Sequence, residues 1–301
     1  MSTEDTKDKI QIQIPGNHRF EYDPEADVTF VFLTNNGALI LAKKSKLASK
    51  SEVFQSQFIS DKENDVKSIT DISFLTFNCM IRHIYGKEIT VDKDNFLEIL
   101  YASRKYAVND LTYEAIKCAL KIINACNLFE YFSEIEKYEI GALNDRIREL
   151  CVQYPLIIVS TLQLTSEVHM RVLKIILDSW KLDCTEVLLY KEIAQMIENT
   201  KGDLSWEEAK KMFGKLIYLI RFPTMTTSEI ISCGKTPSLL TPSQVFGFLL
   251  WKHESTLTTW PEILLFSTQP RIFTRNALKP LNASFNCSQN SFSFFISIST
   301  K

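Results

Sequence analysis

The stretch DVTFVFLTNNGALILA, residues 27–42, decides the fold. DVTFVFL is an apolar run with the β-branched and aromatic content of a strand, and ALILA, residues 38–42, is its return. Between them, residues 34–37 read TNNG. Asn-Gly is the strongest short hairpin signal because both residues tolerate positive φ.

Outward from the hairpin, KLASKSEVFQSQF is followed by a short strand-like VKSITDI. FLTFNCMIRHIYG then carries apolar residues at 74, 75, 77, 80, 81, 84 and 85. That spacing is close to 3.6 residues, so the segment reads as an amphipathic helix. Gly86 stands where a helix C-terminus favours a left-handed residue. Asp94-Asn95 is placed to cap the next helix, whose apolar positions are 96, 97, 99, 100 and 101. Lys105, Asn109 and Asp110 mark a joint, and YEAIKCALKIINAC continues as another helix.

This order resembles a BTB (POZ) domain. The pieces that carry the resemblance are Asp27-Val28, LASKSEVF (47–54), Asp71-Ile72 leading to Phe77, IRHIYGKEI (81–89) and LYASRKYAV (100–108). From residue 124 onward the chain reads as helix after helix. NACNLFEYF, ALNDRIRELCVQY, VHMRVLKIILDSW, TEVLLYKEIAQMIENT and SWEEAKKMFGKLIYLIRF all have 3.6-period apolar faces. Pro155, the Lys201-Gly202-Asp203 turn and Pro223 separate them. This half resembles the BACK domain that follows BTB in many adaptors, through residues 182–186, Tyr190, Met196 and LIYLIRFPTMT (216–226). RFPTMT and SLLTPSQVFGFLLW (238–251) are similar to the BTB–BACK–PHR subfamily. LLFSTQPRIF (264–273) resembles the linker into its PHR β-sandwich, and the chain ends far short of a sandwich of about a hundred residues. The tail NCSQNSFSFFISISTK alternates like one strand and reads as a truncated end.

The expected fold class is therefore an α+β BTB/POZ domain, then an all-α BACK helical domain, then a short irregular C-terminal tail. The expected boundaries are a weakly structured 1–22, BTB at 23–123, BACK at 124–255, and linker and tail at 256–301.

Composition agrees with this class. The chain has 301 residues, 45% apolar and 23% charged, with a formal net charge of −2. That charge gives no nucleic-acid footprint. No apolar run reaches about 18 residues, so no membrane span is expected. MSTEDTKDKIQIQ lacks the apolar core of a signal peptide, which places the chain in the cytosol or nucleus. The seven cysteines are scattered without C-x-x-C spacing and read as buried reduced thiols. His18, His83, His169 and His253 are far apart, so no metal is expected. There is no G-x-S-x-G elbow or phosphate-binding loop, so neither catalysis nor a cofactor is expected.

The resemblance implies sites for partners. An aspartate at the first strand with cations after the second implies a dimer interface at Asp27, Lys43 and Lys44; the family's usual histidine is replaced by Lys43. Cullin-3 adaptors often carry a hydrophobic-x-Glu triplet beyond the position of Phe58. Here the aligned residues are Lys62-Glu63-Asn64, and Ile59-x-Asp61 is a similar triplet displaced by three. The implied cullin face is Phe58, Ile59, Asp61, Tyr101 and Tyr106, with core packing as the other reading of each tyrosine. The implied function is a non-enzymatic adaptor: a homodimer, or a dimer with related BTB proteins, that recruits cullin-3 to an unknown substrate protein. The alternative is a dimerisation scaffold or a transcription or cytoskeletal regulator without cullin binding, or a shortened form that sequesters full-length relatives. No nucleic-acid or membrane partner is implied.

Overall fold

The computed structural model describes residues 19–32, 38–60, 65–235, 238–253 and 265–273. The chain divides into two compact units. The first comprises residues 1–123 with 134–144, and the second 124–133 with 145–301.

The first unit is built on a four-stranded sheet of order β1-β3-β2-β4, with β1 Arg19–Glu21, β2 Val28–Phe32, β3 Ala38–Ala42 and β4 Val66–Ile69. β2 and β3 pair antiparallel, Val28 opposite Ala42 and Phe32 opposite Ala38, which is the expected hairpin. The TNNG turn itself lies outside the described residues. Because strand side chains alternate in direction, Val28, Phe30 and Phe32 all enter the core, with Ala38, Ile40 and Ala42 beside them. β4 joins β2 in parallel after a crossover through α1 Lys44–Ala48 and α2 Glu52–Ser60.

Phenylalanines fill the space above this sheet. Phe77, from α3 Phe74–Ile84, lies 4.8 Å from Phe30 and 5.4 Å from Phe32 between ring centroids. Phe54 of α2 meets Phe30 at 5.8 Å and Tyr106 at 4.5 Å. Ser73 caps α3 by accepting the Thr76 N–H at 3.2 Å, and Gly86 just past its end has φ +70°, as its position predicts. Leu75, within the apolar period of α3, is nevertheless 71% exposed. α4 Phe96–Lys105 and α5 Asn109–Ile122 complete the main packing. Asn95 precedes α4 but does not cap it with its side chain; its Oδ1 accepts the Asp92 N–H at 3.0 Å instead. The asparagine closes the preceding turn, a competition that short amide side chains often win.

The second unit is helical, with helix starts set by local chemistry. α6 Leu128–Tyr138 and α7 Gly141–Gln153 each divide their residues between the two units; α8 Pro155–Ser160 begins on the proline, which lacks only a donor that a first helical residue does not need. α9 Glu167–Asp178 and α10 Glu186–Thr200 start on the side-chain caps Ser166 and Thr185. α11 Trp206–Phe213 opens on a Ser205–Glu208 capping box. The expected single helix over 205–222 breaks at Gly214, φ +56°, and continues as a 3₁₀ turn at Gly214–Leu219. α12 Thr227–Cys233 and α13 Pro242–His253 follow. A two-stranded parallel pair, β5 Lys181–Leu182 with β6 Ile272–Phe273, brings residues 265–273 onto this unit. Among the described residues no helix is long and apolar enough to cross a membrane.

Candidate functional site

The residues expected at partner faces lie on the first unit. Phe58 is half-buried on α2 and stacks on Phe54, centroids 5.7 Å apart and planes 7° apart. The Lys44 ammonium lies over the Phe58 ring, 5.8 Å from its centroid, and pairs with the Asp65 carboxylate. Ile59, the next residue, is 62% exposed. Asp61 and the 62–64 loop lie outside the described residues.

Among the described residues, no ion pair joins Asp27 to a lysine side chain. Its Oδ1 accepts the backbone N–H of Lys44 at 2.6 Å, satisfying a donor at the start of α1. Lys43 donates its own N–H to the Tyr85 hydroxyl at 2.8 Å and sends its ammonium to Glu25 at 3.1 Å. The chain reversal after β3 explains this change. It brings the backbone of residue 44 to the start of β2, whereas the two lysine side chains radiate outward to Glu25 and Asp65. Lys44, expected at a dimer interface, therefore shares one surface with Phe58.

The two tyrosines separate. Tyr106 is 3% exposed, stacked on Phe54 and edge-on to Phe77 at 5.5 Å. It supports the surface from below and lines none of it. Burial pushes its phenol well above the usual range. Tyr101 is half-buried at the surface of α4. Its hydroxyl donates to Asp71, and that hydrogen bond raises the phenol's pKa. Lys105 holds the same carboxylate, its Nζ 2.7 Å from both oxygens. The Lys105 ammonium, then the Tyr101 hydroxyl, keep Asp71 below the ordinary carboxylate range. Tyr138 of α6 stacks against Tyr101 at 5.8 Å, and burial pushes its phenol up to about 12. Tyr101 and Tyr138 line two open grooves of about 540 and 490 Å³. The larger continues over Ile72, Leu97 and Glu98. Glu98 accepts the Ser73 hydroxyl at 2.8 Å, which ties α4 to the cap of α3.

Sequence reasoning found Tyr101 but missed its setting. Asp71 entered only as a family landmark, Lys105 only as a break in a pattern, and Tyr138 not at all. The available signal was the four-residue spacing of Tyr101 and Lys105, which puts both on one helix face. Nothing local relates them to residue 138.

No group of histidine, cysteine and carboxylate residues among those described could hold a metal ion. Cys151, Cys184 and Cys233 are buried, with thiols pushed up to about 12 by burial; Cys79, Cys118 and Cys126 are half-buried, and Cys287 lies outside the described residues. His169 accepts the Gln163 N–H through Nδ1 at 2.9 Å, and His83 faces Asp110 at 3.2 Å. What remains is a surface of aromatic rings and paired charges, suited to binding a protein.

Residues 17–123 match the family model of the BTB/POZ domain. The chain carries a BTB/POZ domain. BTB/POZ domains act in self-association and in binding other proteins. The chain is 28% identical over 243 residues to BTB/POZ domain-containing protein 3 of Homo sapiens, covering 77% of this chain and 46% of that protein. It is 27% identical over 244 residues to BTB/POZ domain-containing protein 6 of Mus musculus, covering 77% and 44%, and 29% identical over 216 residues to the Xenopus tropicalis protein 6, covering 68% and 40%. The chain thus spans about half the length of the curated relatives it matches. A 243-residue alignment is too long for the BTB/POZ domain alone, so the similarity reaches into the helical unit.

Proposed function

We propose that this BTB/POZ protein is a non-enzymatic adaptor. Its BTB domain, residues 23–123, forms a homodimer and offers one face to the cullin-3 N-terminal region. The helices of 124–255 act as a BACK domain that extends this platform, in the cytosol or nucleus. The observation that carries the reading is the BTB/POZ match over residues 17–123, together with exposed Ile59 beside the Phe58–Lys44 stack. An exposed aliphatic next to a rigid aromatic is the kind of anchor that interface hot spots use.

Titration of the full chain with a cullin-3 N-terminal fragment tests it. Binding weaker than about 100 μM, near −5.5 kcal/mol, ends the cullin reading. Ile59→Asp should weaken binding by about 2 kcal/mol, roughly 30-fold, if Ile59 is the anchor. Unchanged affinity moves the site elsewhere.

A second reading is a dimerisation scaffold that recruits other proteins without cullin-3, pairing with itself or with related BTB chains. Lys62-Glu63-Asn64 favours it, since that loop offers no hydrophobic anchor at the aligned place. Dimer formation with no cullin binding is its signature.

A further inference from the structure

Residues 265–273 resemble a linker, yet four separate anchors hold them to the helical unit. Phe266 is buried and packs edge-on against Phe248 at 5.0 Å, Tyr218 at 5.1 Å and Phe222 at 5.6 Å. The carbonyl of Gln269 accepts the Arg221 guanidinium at 2.9 Å. The Ile272 N–H donates to the Trp180 carbonyl at 2.9 Å, and β6 pairs with β5. Between these lies Arg271, buried with the carboxylate of Glu186.

Each nitrogen of the Arg271 side chain has a partner, two by hydrogen bonds and Nη1 by an ion pair. Its Nη1 pairs with Glu186 Oε1, its Nε donates to the Ser179 carbonyl at 2.7 Å, and its Nη2 donates to the carbonyls of Leu177 and Leu219, the latter at 3.2 Å. The other oxygen of Glu186 accepts the Arg221 N–H at 3.3 Å. One carboxylate therefore joins the first turn of α10, Arg221 just past the 3₁₀ turn, and the 265–273 strap. Two of these carbonyls, those of Leu177 and Ser179, belong to the end of α9, where unsatisfied carbonyls favour a cation. Removing a buried cation strands its carboxylate, which costs far more than an exposed pair is worth.

We infer that Leu265–Phe273 is a strap latched into the helical unit by the Glu186–Arg271 pair, so that the last described point fixed to this unit is Phe273 and not the end of α13. The consequence is geometric. A free tether of about 20 residues would let Phe273 wander by roughly 25 Å from the end of α13. A latched strap holds Phe273 in place.

Hydrogen exchange of the full chain, resolved to single amides, tests the inference. The Ile272 N–H should exchange as slowly as the amides of α9 and α10. Exchange at the rate of an unstructured peptide overturns the strap. Arg271→Met should then speed exchange across 265–273 by about 100-fold or more, because Glu186 is left buried without its cation. Should that variant fail to fold, Arg271→Lys keeps the charge but loses the fork, and the same segment should exchange faster than α10. The double replacement Glu186→Leu, Arg271→Met removes both charges and should restore protection. Equal loosening of α9, α10 and the strap in Arg271→Lys, or no recovery in the double variant, overturns the latch.

Discussion

At the scale of single residues, Phe54 and Ile59 have opposite roles five positions apart. Phe54 is fully buried and touches Phe30, Phe58 and Tyr106. Phe54→Ala should cost about 3–5 kcal/mol in urea unfolding, because it leaves a cavity among aromatic rings that cannot collapse. Ile59→Asp should change stability by no more than about 0.5 kcal/mol, since the side chain is already in water. Asp71 supplies a pH test. Lys105 and Tyr101 depress its folded pKa, so its contribution to stability is complete above the unfolded carboxylate value of about 4. That contribution is lost as pH falls through the lower, folded value. Asp71→Asn should therefore flatten part of the acid limb of the urea midpoint measured between about pH 5 and pH 2.5. An unchanged slope would show that the Asp71 pairs contribute nothing in solution.

At the scale of elements, the sequence was most readable where one residue does one job. Gly86 at φ +70° ends α3 as its position predicts, and no neighbouring atom crowds the place a Cβ would take. Gly86→Ala should then cost about 1–2 kcal/mol through backbone conformation alone, seen as a lower thermal midpoint with the fold retained. Ser205→Ala removes half of a capping box and should cost about 1 kcal/mol. Asn95 and Leu75 were misread for related reasons. A capping residue type was present at 95, but its amide had a better acceptor role in the turn before it. A 3.6-residue period places Leu75 beside the buried face of α3, and only the neighbours present at that turn decide that it stays outside.

At the scale of the molecule, the dimer is the prediction with the widest consequence. Light scattering on the full chain should return twice the chain mass at micromolar concentration. A monomer there would remove the proposed platform. The hairpin, the helix periods and the family order of residues 27–108 were determined by the sequence alone, because alternation, helical spacing and turn chemistry are local properties. The placement of partner-face residues was not. Asp27 meets the Lys44 backbone, Tyr101 meets Asp71 and Tyr138, and Tyr106 turns into the core, each through a long-range approach with no local signature. The strap is the clearest case. LLFSTQPRIF reads as a linker only by resemblance, and it becomes part of the helical unit only when folding brings Glu186 to Arg271. Pairing a buried charge requires a partner in space, and sequence order carries no information on which residue that will be.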